Sequence, residues 1–448
     1  MSGLEKPRRY FAIFAVSCGT ALMVMDSALP NVALPTIARD LDIEASSAIM
    51  IVSFYQLVLV MSLLPLAALG GRIGLRKLYQ AGLCLFLAAS VLCFFAPSFP
   101  WLLAARALQA LGAAAALSVA SALIRSIYPT RQLGRGIGIN TIIVASAGGI
   151  APILGGYIVS ATDWQWIFIA TAPLGLLSLA VGQRALPDVE GHGESISPLG
   201  ALLCALTFGL IISGLLALAG RYPSSVALPI LFAGILVAIV FVRREIKQES
   251  PILPVDLLAD RVVALSILAA QFAFVASMTF VLSLPFRLQE TFGFLPSEVG
   301  MAVAPFPVAL MIIAPIAGSL SDRYPPAILG FIGMSIATTG LLLIALLPGG
   351  TTQLDIAWRM ALAGIGYGLF FPPNAKLIIS AAPLERTASA GGLMATNRLS
   401  GQALGTALVA GLLATDYGHG SLPVLLGALL TLLASLCSLA RLAGSRSQ

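Results

Sequence analysis

Charge is scarce in this sequence. Only 10% of its 448 residues are Asp, Glu, Lys or Arg, where a soluble domain carries about 25%. So few charges cannot cover a water-facing surface, and an ordinary soluble fold is excluded. Histidine is rarer still. His192 and His419 are the only two, both lie between apolar runs, and neither has neighbours that would complete a metal or catalytic cluster. The five cysteines are Cys18, Cys84, Cys93, Cys204 and Cys437. Their number is odd, none forms a Cys-x-x-Cys pair, and all sit within apolar runs. They read as small apolar residues, with neither a disulfide framework nor a metal site. The sequence has no Gly-x-x-x-x-Gly-Lys-Ser/Thr loop, so direct ATP hydrolysis is unsupported. It also lacks His-Glu-x-x-His and paired acids inside an apolar run, which leaves an enzyme no nucleophile–base or metal constellation. Neither enzyme nor cofactor is expected.

What the sequence has instead is long apolar runs. Hydrophobic residues make up 58%, and the mean hydropathy is +0.98. A membrane span takes about 20 mostly apolar residues. Breaks in the pattern divide the chain into about fourteen such segments: 10–37, 46–70, 77–96, 100–124, 137–160, 164–184, 197–219, 225–242, 262–286, 297–320, 327–347, 355–381, 388–415 and 421–441. Backbone groups in lipid must be satisfied within the segment, so these are helices. The fold class is an all-α polytopic membrane protein. Lys6, Arg8 and Arg9 ahead of the first run resemble the start of a signal peptide. The run continues through Asp26, Pro30 and Pro35 with no clear cleavage site, so it reads as a retained first helix.

The net charge of +6 is a topology signal and not a nucleic-acid one. Counted from a cytoplasmic N-terminus, the inner loops hold Arg72, Arg76, Lys77, Arg125, Arg131, Arg135, Arg243, Arg244, Lys247, Arg261, Arg323, Arg386, Arg441 and Arg446. The outer loops hold only Arg39, Arg221, Arg287 and Arg359, mostly beside acids. This is the positive-inside bias, and it places both termini in the cytoplasm of a cell whose inner membrane the chain crosses. Two short loops also echo each other: Leu69-Gly70-Gly71-Arg72-Ile73-Gly74-Leu75-Arg76-Lys77 and Gly318-Ser319-Leu320-Ser321-Asp322-Arg323. Their positions suggest two six-helix halves, 1–184 and 262–448, joined by a linker 185–261 that carries two inserted helices. Duplicated halves around a central site are a common transporter plan.

At these residues the sequence resembles the major facilitator superfamily, and within it the fourteen-span drug:proton antiporters that export quaternary ammonium compounds, dyes and other lipophilic drugs. The resemblance covers nearly the whole chain. It rests on Asp26-Ser27-Ala28-Leu29-Pro30-Asn31-Val32-Ala33-Leu34-Pro35, on Arg106 with Gln109 and Gly112, and on Ala151-Pro152-Ile153-Leu154-Gly155-Gly156. It rests too on Asp163-Trp164-Gln165-Trp166-Ile167-Phe168 with Pro173 and Gly175, and on Asn397-Arg398-Leu399-Ser400-Gly401 with Leu404-Gly405-Thr406-Ala407. The chain departs from the pattern where Gly71 replaces a loop acid, Ala151 the first glycine of the antiporter motif, and Gln165 an arginine. The resemblance implies the major facilitator fold and proton-coupled efflux of lipophilic drugs or toxic organic cations by alternating access. Protons and a lipophilic small molecule would then be the partners of a monomer in the bilayer, with no nucleic acid involved.

Asp26 is the only clear carboxylate deep in an apolar span of the first half. An ionisable group there is costly and marks a functional site by default, here proton coupling; the other reading is a structural hydrogen bond. Arg106 cannot easily lose its charge and needs a partner. It either tunes a proton site with Asp26 or staples helices. Tyr55, Gln56, Asn140, Gln271, Phe274, Tyr367, Phe371, Asn374, Asn397 and Arg398 could supply the aromatic and amide lining of a substrate pocket, or serve in packing. Lys376 either lines the cavity or snorkels to the cytoplasmic side. If both Arg398 and Lys376 reach the cavity, it is not simply anionic. Pro152, Gly155 and Gly156 permit a bend and close helix approach. Arg72, Gly74 and Arg76, with Asp322 and Arg323, could latch one conformation at the cytoplasmic helix ends, although topology alone would also place these bases there. An exporter of a specific metabolite or lipophilic anion remains open, and more remotely a membrane-embedded enzyme or receptor.

Overall fold

The computed structural model describes residues 4–129, 133–188, 198–219, 224–246, 255–381, 387–414 and 418–444. Helices account for nearly all of them, as a chain that must satisfy its backbone inside lipid requires. The first half comprises α1 (Lys6–Asp40), α2 (Ala45–Ala48), α3 (Met50–Ile73), α4 (Leu75–Phe94), α5 (Phe99–Ile127), α6 (Leu133–Ala161), α7 (Trp166–Ile169) and α8 (Ala172–Ala185). Next come α9 (Pro198–Ala219) and α10 (Ser224–Glu245). The second half comprises α11 (Arg261–Phe286), α12 (Pro296–Val303), α13 (Pro305–Leu320), α14 (Pro326–Ala345), α15 (Gln353–Ala381), α16 (Thr387–Leu413) and α17 (Leu422–Gly444).

Among the described residues, twelve helical stretches are long and apolar enough to cross a membrane. The segments expected at 137–160 and 388–415 fall on α6 and α16 and lie outside that count. The apolar stretch described in α6, Ser146–Ala161, is shorter than a span.

Local sequence explains where helices start and turn. Pro7 and Pro100 occupy the first turns of α1 and α5, where a missing N–H costs nothing. Asp260 caps α11 by accepting from the Val262 and Val263 N–H groups at 2.7 and 3.0 Å. Gly74 has φ 99°, a conformation that suits glycine, and it turns the chain directly from α3 into α4. The two halves repeat one packing device. A Cβ on Gly112 of α5 would lie 2.5 Å from the Phe86 nitrogen of α4, and one on Gly366 of α15 would lie 2.4 Å from the Gly333 oxygen of α14. Only glycine lets these backbones touch.

Each half has its own apolar core. In the first half, the cores gather around Leu22, Phe86 and Leu123 and around Leu34, Ile51 and Phe168; in the second, around Phe280, Leu341 and Phe370. The inserted α9 lies across the seam, where its Ile212 is buried with Leu57 of α3 and Ala403 of α16. Outside it, α10 exposes Phe232, Ile235, Leu236, Ile239 and Val240, a face suited to lipid.

The halves meet at the end away from both chain termini. There Arg39 Nη2 donates to Gln289 Oε1 at 3.3 Å, and Gln289 Nε2 to the Val32 carbonyl at 3.1 Å. The Ser297 N–H donates to Ser160 Oγ at 2.9 Å. A Cβ on Gly156 of α6 would lie 2.4 Å from the Pro296 oxygen of α12, and one on Gly300 of α12 would lie 2.3 Å from the Pro152 oxygen. At the terminal end, the polar contacts among the described residues stay within each half. Arg8 donates to the Ala185 and Leu186 carbonyls at 3.0 and 3.1 Å. Arg441 Nη1 donates to Asn374 Oδ1 at 2.6 Å and to Ser266 Oγ at 2.9 Å. Among the described residues, the polar contacts that cross between the halves lie at the end away from the termini and near the middle of the bundle.

Candidate functional site

Asp26 lies midway along α1 and is 1% exposed. Both carboxylate oxygens are occupied from α5. Arg106 Nη1 donates to Oδ2 at 2.7 Å, and Gln109 Nε2 donates to Oδ1 at 2.9 Å. Arg106 and Gln109 are three residues apart on one helix, so they share a face. They also bind each other, Arg106 Nη1 donating to Gln109 Oε1 at 2.6 Å. Gln109 Nε2 reaches Ser90 Oγ of α4 at 2.9 Å. The guanidinium carbon lies 4.1 Å from the centre of the Tyr55 ring and 5.4 Å from that of Phe168, so aromatic faces cover the cation. Arg106 Nε and Nη2 are buried without a hydrogen-bond partner among the described residues. Burying a charge is costly unless it is paired. The arrangement keeps one acid and one base where lipid surrounds the bundle, and loss of the Asp26 charge would leave Arg106 with Gln109 and two rings.

In the second half, α11, α15 and α16 carry residues expected in a pocket. Phe274 and Phe371 are half-buried and stacked, with centroids 4.7 Å apart and planes at 21°. Gln271 Oε1 accepts from Ser400 Oγ at 3.2 Å. Asn397 Nδ2 donates to the Ile267 carbonyl at 3.1 Å, fixing α16 to α11. Arg398 is exposed. Other residues expected in a pocket lie elsewhere. Tyr367 is fully buried and donates to the Ala273 carbonyl at 3.1 Å, and Asn374 is buried between Arg441 and the Ser266 carbonyl, so both work inside the second half. Tyr55 belongs to the Arg106 cluster. Gln56 bridges the seam, accepting from Thr406 Oγ1 of α16 at 2.9 Å and approaching Met278 Sδ at 3.9 Å. Asn140 is half-buried on α6, and its Oδ1 has no partner among the described residues.

With this geometry in place, the sequence profile described as Major Facilitator Superfamily matches residues 16–406. The chain belongs to the Major Facilitator Superfamily. It is a multi-pass membrane transporter and not an enzyme. "Uncharacterized transporter YebQ" of Escherichia coli K12 is 40% identical, covering 100% of this chain and 98% of its own length. "Riboflavin transporter RibZ" of Clostridioides difficile is 27% identical over 89% of this chain and 87% of its own. "Multidrug resistance protein Stp" of Mycobacterium tuberculosis H37Rv is 30% identical over 90% and 75%. Among solved structures, a POT family transporter in complex with 5-aminolevulinic acid superposes with a TM-score of 0.73 at 16% identity, over 96% of this chain and 95% of that one. At that identity the likeness is one of fold.

The motif residues of this superfamily member fall at helix ends and at the seam. Arg76 pairs with Asp188 at 2.9 Å and donates to the Gln183 carbonyl, tying α4 to the end of α8. Arg72 and Arg323 are exposed, and Gly74 makes the α3–α4 turn. Asp322 pairs with Lys376 Nζ at 2.5 Å, and the same nitrogen donates to the Ser321 carbonyl at 2.8 Å. Lys376 thus reaches the terminal end of α13. Pro152 and Gly156 meet α12 at the sealed end, while a Cβ on Gly155 would lie 3.1 Å from the Leu29 oxygen of α1. Ser90 joins the Asp26 cluster, as does Phe168, which the sequence marks only as part of the 163–168 motif. Small polar and aromatic residues are common in apolar spans, so only their place beside Arg106 distinguishes them. Gln109 is marked in the sequence only as part of the motif with Arg106 and Gly112.

Proposed function

We propose that this chain is a proton-coupled exporter of lipophilic small molecules that works by alternating access of its two halves. Fourteen spans, a monomeric state, both termini in the cytoplasm and residence in the inner membrane complete the reading. The observation that carries it is the buried Asp26–Arg106 pair, 2.7 Å apart on helices of one half. A proton and the Arg106 guanidinium compete for the same carboxylate. Arg106 keeps its charge throughout, so protonation of Asp26 frees the guanidinium and loosens α1 from α5. The change can reach the seam because α1 carries Leu29, three residues on, against Gly155 of α6. Direct contacts between the halves at the end away from the termini fit one stage of such a cycle. A multidrug resistance protein among the relatives supports outward transport of drug-like molecules.

The test uses inside-out vesicles energised by respiration, with a pH-sensitive dye in the lumen and aromatic organic cations and anions added in turn. Wild-type protein is expected to release protons when a substrate is added, and Asp26→Asn to lose that release at equal protein level. Equal proton movement in both would remove Asp26 from coupling.

A further inference from the structure

Arg398 has no part in the Asp26 network. It stands near the middle of α16, and its exposed guanidinium makes no hydrogen bond or ion pair among the described residues. Its neighbours fix its direction. Asn397 and Gly401 face α11: Asn397 donates to Ile267, and a Cβ on Gly401 would lie 2.6 Å from Phe274 Cβ. Leu399 faces the opposite way, into the core that contains Tyr55, Leu59 and Val60 of α3. Val409 lies eleven residues beyond Arg398, about three turns, and therefore on the same helix face. It is fully buried against Ala33, Leu34, Leu282 and Phe286, where α1 meets α11 at the sealed end. Arg398 thus points toward the axis between the halves, between the seal and the end that carries the chain termini.

Two further observations concern what it would meet there. The Phe274–Phe371 stack lies one turn away across Gly401, and Gln271 Nε2 beside it donates to nothing among the described residues. Among the described residues, no acid pairs with Arg398. Of the second-half acids whose side chains are described, Asp260 caps α11, Glu290 follows it, Glu298 starts α12, Asp322 follows α13 and Asp355 starts α15. In the first half, Asp26 is spent on Arg106 and Gln109. Among the described residues, Arg398 is an uncompensated arginine with no carboxylate paired to it.

We infer that the cargo is an aromatic organic anion, a carboxylate or sulfonate on a flat ring, held by the Arg398 guanidinium and the Gln271 amide with its ring against Phe274 and Phe371. A guanidinium matches a carboxylate or sulfonate with two parallel N–H donors, and the rings supply the apolar surface that such pockets need. This substrate class rests on the proposed exporter function.

The experiment compares fluorescein and rhodamine 6G, which share a xanthene ring and differ in charge. Anisotropy reads their binding to purified protein, and energised inside-out vesicles read their uptake, with and without an uncoupler. Wild type is expected to bind and take up fluorescein in preference to rhodamine 6G. Arg398→Gln should weaken fluorescein binding by roughly tenfold to a hundredfold while rhodamine 6G binding does not fall. Arg398→Lys, which keeps the charge without the fork, should fall between. Preference for rhodamine 6G, fluorescein binding unchanged in Arg398→Gln, or binding of neither dye by folded wild-type protein would overturn the anion assignment. Fluorescein uptake that needs Arg398 but ignores the uncoupler would leave the anion site standing and overturn proton coupling.

Discussion

Arg106 holds Asp26 through a single nitrogen, Nη1, while Nε and Nη2 have no partner among the described residues. A pair held in this way responds unequally to its two halves being removed together or apart. Arg106→Gln leaves a buried carboxylate with Gln109 alone, and breaking a buried ion pair costs about 3–5 kcal/mol. Asp26→Asn together with Arg106→Gln removes both charges, so the double variant should unfold at a higher temperature than Arg106→Gln alone, a clear departure from additivity. Thermal unfolding of the purified protein checks this; a double variant less stable than Arg106→Gln would show that the pair contributes nothing as a unit. Asp26 and Arg106 could both be picked out from sequence, because each is a charge inside an apolar run. Their contact could not, since 80 residues separate them and helix packing decides which faces meet. Tyr367 is the reverse case. A tyrosine in an apolar span suits either a pocket or a core, and only the Ala273 carbonyl beside its hydroxyl decides for the core.

Among the helices, α6 and α12 carry the seal. Their backbones approach across Gly156 and Gly300, where a Cβ would lie 2.4 and 2.3 Å from the Pro296 and Pro152 oxygens. A side chain at Gly156 therefore has to push the helices apart. Gly156→Val should open this end, and a cysteine introduced at Ser297 should react faster with a membrane-impermeant thiol reagent in that background than in wild type. An unchanged rate would mean that the contact does not hold the end shut. The glycine-rich segment of α6 was visible in sequence as a place of close approach. That its partner is α12 was not, because no sequence pattern pairs a small residue with the particular carbonyl it admits.

In the whole molecule, the end away from the termini is bound across the halves by direct polar contacts. Ser160 Oγ accepts from the Ser297 N–H at 2.9 Å, which brings α6 and the start of α12 within reach of a cross-link. Cysteines at both positions, oxidised to a disulfide, should hold the seal and stop transport, and reductant should restore it. The single Ser297→Cys variant provides the control for the native cysteines. Undiminished transport by the oxidised double variant would mean that this end need not open during the cycle. On the side of α3 and α16, α9 packs against both through Leu57, Ile212 and Ala403.

By itself the sequence determined the solvent, the helical class and the order of the elements. A chain with 10% charged residues cannot face water over most of its surface, and a backbone in lipid has few ways to satisfy its hydrogen bonds. It also marked Asp26, Arg106 and Arg398 as costly residues that need a reason. The tertiary structure alone decided what each reason is. Asp26 and Arg106 neutralise one another inside the first half, Lys376 turns away to Asp322, and Arg398 is left facing the axis. Composition sets how many charges lipid must tolerate, but helix rotation and packing decide which of them find a partner.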